Sequence, residues 1–181
     1  MLRSLPALLL GFMLAVLGTA GAGVPTAQRV IANAKAQAAA EHKTILLLFG
    51  ASWCPWCKRL DDFIEAPKIQ PIFARHFVLA RIDVQEHGDK ASLNTPGGAE
   101  LGTQMGARRN GLPFFAFLDE QGELIVNSIR PLPGKSEGEN IGHPTAPEEV
   151  DYFMQMLEKV SPPLSPAESQ AIESYLRHQK K

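Results

Sequence analysis

Only two cysteines occur in the 181 residues, and they stand three positions apart in Trp53-Cys54-Pro55-Trp56-Cys57-Lys58. Two thiols at that spacing can open and close a disulfide, hold a thiophilic metal, or staple the chain. The staple is the weakest of the three, because a disulfide stabilises mainly by restricting the unfolded chain and so short a loop restricts almost nothing. If a helix starts here, Cys54 falls at its N-cap, where unsatisfied N–H groups and the positive end of the dipole favour thiolate over thiol. Pro55 then takes the first helical position, where its fixed φ suits the helix and its missing N–H is no loss. Cys57 lies one turn deeper, close enough to close a disulfide. The expected division is Cys54 as exposed nucleophile and Cys57 as resolving thiol, which attacks a mixed disulfide and releases the partner. Trp53 and Trp56 bracket the nucleophile and offer a flat apolar rim for an unfolded substrate or a partner loop; simple packing is the competing role for both.

Metal chemistry starts from the same two sulfurs. A zinc site needs two further ligands, and the five histidines, His42, His76, His87, His143 and His178, form no spaced pair. No metal or cofactor is therefore assigned. Two-coordinate Cu(I) handling, or a module that holds clients without turnover, is the alternative to redox exchange.

These side chains need elements to hold them. Residues 25–41 read as an alanine-rich helix capped at Thr26, and Ile45-Leu46-Leu47-Leu48-Phe49 is a continuous apolar run suited to a strand covered on both faces. From Cys54 the pattern turns helical, with Leu60, Phe63 and Ile64 on one face, and a short helix carrying Ile69, Ile72 and Phe73 follows. Residues 77–83 form the next strand. The stretch 84–112 is polar and glycine-rich, with a helix expected near 99–105. Pro113-Phe114-Phe115-Ala116-Phe117-Leu118 and Leu124-Ile125-Val126 should pair as a hairpin about the Gly122 turn. Residues 131–147 read as a long loop. Capping boxes at Thr145-Ala146-Pro147-Glu148 and Ser165-Pro166-Ala167-Glu168 announce two terminal helices. This order describes an α/β fold, a central mixed β-sheet flanked by helices, with an extra helix at each end.

Composition is that of one ordinary globular domain, with 45% hydrophobic and 20% charged residues. A formal charge of −1 supplies no basic field for nucleic acid or anionic lipid. Arg3, the uncharged apolar run 5–17 and Ala20-Gly21-Ala22 form the three-part pattern of a secretory signal. The run is 13 residues, short of the roughly 20 that a spanning helix needs. The expected layout is a signal peptide over 1–22, or an uncleaved anchor that would bring the protein to a membrane, then a domain over 25–160 and a helical extension over 161–181. Residues from about 25 onward are expected in the periplasm or otherwise outside the cytoplasm.

Residues 49–58, together with Gly111-Leu112-Pro113-Phe114-Phe115-Ala116-Phe117-Leu118-Asp119 and the Gly122 turn, resemble the thioredoxin superfamily over roughly residues 44–157. The resemblance implies a thioredoxin-like fold, Cys54 as nucleophile, Cys57 as resolver, and Pro113, after Leu112, as a cis-proline bordering the substrate groove; spacing alone does not establish the cis bond. The leading helix and the 77–83 strand are most similar to exported single-domain members and to the C-terminal domain of the periplasmic transmembrane disulfide reductase. That likeness implies a monomeric protein thiol-disulfide oxidoreductase, favoured as a reductase, with protein disulfides and a membrane-bound redox protein as partners.

One departure stands out. The buried aspartate that family members carry six residues before the nucleophile is Leu48 here. Asp61, four residues after Cys57 and seven after Cys54, shares their helix face and is the candidate substitute as proton acceptor, against an ordinary solvated charge. Arg108 and Arg109, just ahead of Pro113, would raise the local positive potential if they approached the dithiol; simple loop solvation is the competing role.

Overall fold

The computed structural model describes residues 23–107 and 111–179; the expected leader over 1–22 lies outside them. The Thr26 hydroxyl accepts the Arg29 N–H at 3.3 Å and caps α1 (Ala27–Glu41). β1 (Thr44–Gly50) is central in a four-stranded sheet of order β2-β1-β3-β4, which explains why its run of large apolar residues is unbroken. It runs parallel to β2 (Phe77–Asp83) and antiparallel to β3 (Phe114–Leu118), and β4 (Leu124–Asn127) pairs antiparallel with β3. The result is the expected mixed sheet flanked by helices.

Alternation along β1 sorts its side chains into two cores. Leu46 and Leu48, with Phe115 and Phe117 of β3, face a layer made from α2 (Pro55–Ile64), α3 (Gln70–His76), α5 (Pro147–Leu157) and α6 (Pro166–His178). Ile45, Leu47 and Phe49 face α1 on the opposite side. Phe63 anchors α2 in the first layer: its ring lies 5.5 Å from Phe73, 6.0 Å from Phe153 and 5.3 Å from Tyr175, centroid to centroid. Burying a phenylalanine stabilises by roughly 1.5–3 kcal/mol. That anchor fixes the helix whose first turn carries both cysteines.

Between β2 and β3 the polar stretch holds a 3-10 helix, Gly88–Leu93, and α4 (Gly98–Gln104). The 131–147 segment departs from a plain loop. Glu139–Asn140 forms β6, pairs with β5 (Ile129–Arg130) and is followed by the buried Ile141. A two-residue strand leaves no periodicity to read. The box ahead of α5 is also one residue later than expected, because Glu149, and not Glu148, accepts the N–H groups of Thr145 (2.8 Å) and Ala146 (2.9 Å). The box ahead of α6 falls where the sequence places it. There Glu168 receives the Ser165 N–H at 2.8 Å, and that bond holds its carboxyl pKa down to about 2.

Candidate functional site

Gly50 ends β1, and a turn closed by the Cys54 N–H on the Ala51 carbonyl (3.1 Å) leads into α2. Cys54 is the N-cap in extended conformation, Pro55 opens the helix, and the Cys54 sulfur accepts the Cys57 N–H at 3.0 Å. The two cysteines are joined in a disulfide with Cα atoms 5.3 Å apart. The expected exposure is reversed in this oxidised form: Cys54 is 5% exposed, whereas Cys57 is only half-buried. The Cys54 sulfur turns inward to the first helical turn, where the backbone N–H holds it, and Cys57 faces the open cleft beside the sheet.

Two segments remote in sequence flank the dithiol. On one side, the Glu86 carboxylate accepts the Ser52 N–H (2.5 Å) and hydroxyl (2.9 Å), and the Trp53 indole donates to the Gln85 carbonyl at 2.9 Å. Asn94 secures this loop by accepting the Glu86 N–H and donating to the Glu86 carbonyl. The Ser52 contact holds the Glu86 carboxyl below the usual range. On the other side, Trp56 stacks on His143 with centroids 6.5 Å apart, and Arg59 lies over the Trp56 ring at 4.8 Å. Both tryptophans remain almost half exposed. His143 is buried, and burial lowers its pKa; its Nε2 meets the Gln179 amide oxygen at 2.6 Å, while Nδ1 has no partner.

Leu112-Pro113 is a cis peptide. Asn140 of β6 donates to the carbonyls of Pro113 (2.9 Å) and Gly111 (3.1 Å), so the 131–147 segment holds this turn in place. Pro113 and Cys57 line one cleft of about 390 Å³. Leu112 lies outside it, in a neighbouring depression shared with Trp56.

The first cleft also contains Asp61, Glu65, Asp83 and Glu86 against the single cation Arg81. Asp61 is neither free nor merely solvated: its carboxylate meets the Arg81 guanidinium at 2.5 Å. Leu48 is buried in the sheet face beneath. Arg108 and Arg109 lie outside the described residues. Sequence reasoning passed over Glu86, Asp83 and Asn140 and weighed His143 only as a metal ligand; all four meet the site through long-range contacts. Among the described residues, no group of three or more His, Cys, Asp or Glu side chains could hold a metal ion, and no helix is long and apolar enough to cross a membrane.

A dithiol at a helix start, sharing a cleft with a cis-proline at the start of an inner strand of a mixed sheet, belongs to the class of thioredoxin-fold thiol-disulfide oxidoreductases. The chain is a member of the Thioredoxin-like family, whose model matches residues 26–120, just over half its length. Among solved structures, it is similar to a disulphide isomerase from Xylella fastidiosa Temecula1, at 27% identity over 56% of this chain and 72% of that one, with a TM-score of 0.46. The oxidised C-terminal domain of Neisseria meningitidis DsbD is 20% identical over 74% of this chain and 98% of that one, with a TM-score of 0.44. A thioredoxin from Thermus thermophilus is 19% identical over 69% and 79%, with a TM-score of 0.43. A comparison with curated proteins gave no match. The protein is a thiol-disulfide oxidoreductase.

Proposed function

We propose that this oxidoreductase works outside the cytoplasm as a monomeric reductase of protein disulfides, recharged by a membrane-bound redox partner. Cys54 is the nucleophile: its sulfur sits at the α2 N-terminus, where the Cys57 N–H and the helix dipole favour a thiolate. Cys57 resolves the mixed disulfide. Pro113 and Leu112 border the substrate groove, and Trp53 and Trp56 supply its apolar rim. The leader-like pattern over 1–22 supports export and is tested by N-terminal sequencing of the mature protein. The domain over 25–160 carries the chemistry, with 161–181 as its helical extension.

The observation that carries the direction of electron flow is the charge of the cleft. Four carboxylates against one guanidinium line the cleft that Cys57 faces. Negative charge disfavours thiolates, so the disulfide is stabilised relative to the reduced form and the dithiol gives up electrons readily. Asp61 offsets the Arg81 guanidinium, the one cation of the cleft, so Asp61→Asn would free that positive charge, favour the thiolates and make the dithiol less reducing. Equilibration with glutathione tests the direction: a potential below about −200 mV fits a reductase, and one near −120 mV reverses the assignment. Cys57→Ser in the native host should leave clients, and the recharging partner, disulfide-linked to Cys54.

A further inference from the structure

The resolving cysteine must lose a proton before it can attack, and the position that would hold a buried acid is Leu48. Leu48, Arg81, Gly50 and Asp83 share one side of the sheet, because β1 and β2 pair Leu48 with Arg81 and Gly50 with Asp83 in parallel register. Gly50 lies beside the resolving thiol: a side chain there would place its Cβ 3.5 Å from Cys57 Sγ. Gly50 adds no side chain at this point, and Asp83 and Cys57 line the same cleft. The other acids of the cleft are committed or peripheral. Asp61 is paired with Arg81, Glu86 is bound to Ser52, and Glu65 lies past the end of α2. Asp83 has no hydrogen bond or ion pair through its carboxylate among the described residues, and it is open to solvent.

We propose that Asp83 is the proton acceptor for Cys57 when that thiol resolves a mixed disulfide, a role that rests on the oxidoreductase reading above. Partial burial and the nearby negative charge of Glu86 raise the Asp83 pKa, with Arg81 opposing and Asp61 adding to the effect. That shift brings the carboxylate closer to a thiol in proton affinity. Lys90, which donates to the Ser52 hydroxyl, is the remaining cation of the adjoining loop.

The sequence of bonds balances. The Cys54 thiolate attacks one sulfur of a client disulfide, forms the Cys54–client bond and expels the other client sulfur as thiolate. Cys57 Sγ–H passes its proton through cleft water to Asp83. The new thiolate attacks Cys54 Sγ, so the Cys54–Cys57 bond forms and the Cys54–client bond breaks. The client sulfurs gain the two electrons of the dithiol and take up two protons, balanced by the one that Cys54 released on ionising and the one that Asp83 returns to solvent.

The test uses the full chain with Cys54 preloaded as a mixed disulfide with glutathione, and reads the rate of glutathione release against pH. Asp83→Asn should slow release at neutral pH by on the order of tenfold to a hundredfold and remove one inflection from the profile, with Asp83→Glu restoring most of the rate. An unchanged D83N profile, or a loss seen in D61N and absent in D83N, overturns the assignment. A readout free of variants is the Asp83 carboxyl titration by NMR: its midpoint should differ between oxidised and reduced protein, and identical midpoints also overturn it. If the wild-type chain reduces no protein disulfide while glutathione release still depends on Asp83, the client-reductase reading fails and the proton role stands.

Discussion

Glu86 holds Ser52 from 34 residues away, accepting its backbone N–H at 2.5 Å and its hydroxyl at 2.9 Å. Ser52 is two residues before Cys54, so the loop after β2 positions the strand-to-helix turn that presents the nucleophile. The same carboxylate is also one of the four negative charges in the cleft. Geometry and charge can be separated by two variants.

Glu86→Gln keeps an acceptor for the Ser52 N–H and removes the charge, while Glu86→Ala removes both. The Gln variant should retain the fold and become less reducing, by roughly twofold to tenfold in its equilibrium constant with glutathione, because one fewer anion opposes the thiolates. The Ala variant should also melt at lower temperature. The folded pKa of Glu86 is depressed, so its contribution to stability is present above the ordinary carboxylate pKa and is lost as pH falls through the folded value. Melting curves between pH 3 and 7 should therefore fall more steeply for wild type than for Glu86→Gln. Parallel curves would assign the contact no stabilising role.

Asn140→Ala tests the other flank. The amide donates to the carbonyls of Pro113 and Gly111, and its oxygen accepts the Ser128 hydroxyl at 2.8 Å. Losing this hub should cost about 1–3 kcal/mol of stability and slow client reduction on the order of tenfold, since small misplacements at a reacting centre are costly. The equilibrium with glutathione should hardly move, because no charge near the sulfurs changes. A large shift in that equilibrium would mean that Asn140 acts on the dithiol and not on the groove.

The contrast between these residues and the cysteines shows what the sequence reveals. Cys54, Pro55 and Cys57 are legible because their relationship is local, and the central strand is legible because burial on both faces forces an unbroken apolar run from Ile45 to Phe49. Glu86 and Asn140 are ordinary polar residues in stretches without periodicity. Their roles come from pairings with Ser52 and Pro113, 34 and 27 positions away, that no local pattern encodes. Cys54 was expected in the open because the N-cap argument fixes its backbone position and leaves the direction of its sulfur undetermined. Asp83 became visible only through strand register.

His143 offers a pH-dependent readout beside Trp56. Its ring is buried between Trp56 and Phe63, with centroids 6.5 Å and 6.1 Å away, and burial, followed by Arg59, lowers its pKa. A base whose folded pKa is depressed binds fewer protons folded than unfolded once the pH falls below its ordinary value of about 6.5. Stability from the neutral ring is thus complete above that pH and is lost as acidification proceeds toward the folded pKa. The melting temperature of wild type should fall between pH 7.5 and 5.5 by more than that of His143→Gln. Gln179 gives the mechanism a second handle: its amide oxygen accepts from His143 Nε2 at 2.6 Å and its amide nitrogen donates to the Pro144 carbonyl at 2.6 Å, so Gln179→Ala should loosen the ring against Trp56. In that variant the pH at which Trp56 fluorescence changes should move further below the ordinary histidine value, because the Gln179 contact raises the His143 pKa against burial and its loss removes that support. A fluorescence titration that is the same in wild type and Gln179→Ala would show that the end of α6 does not govern the environment of Trp56.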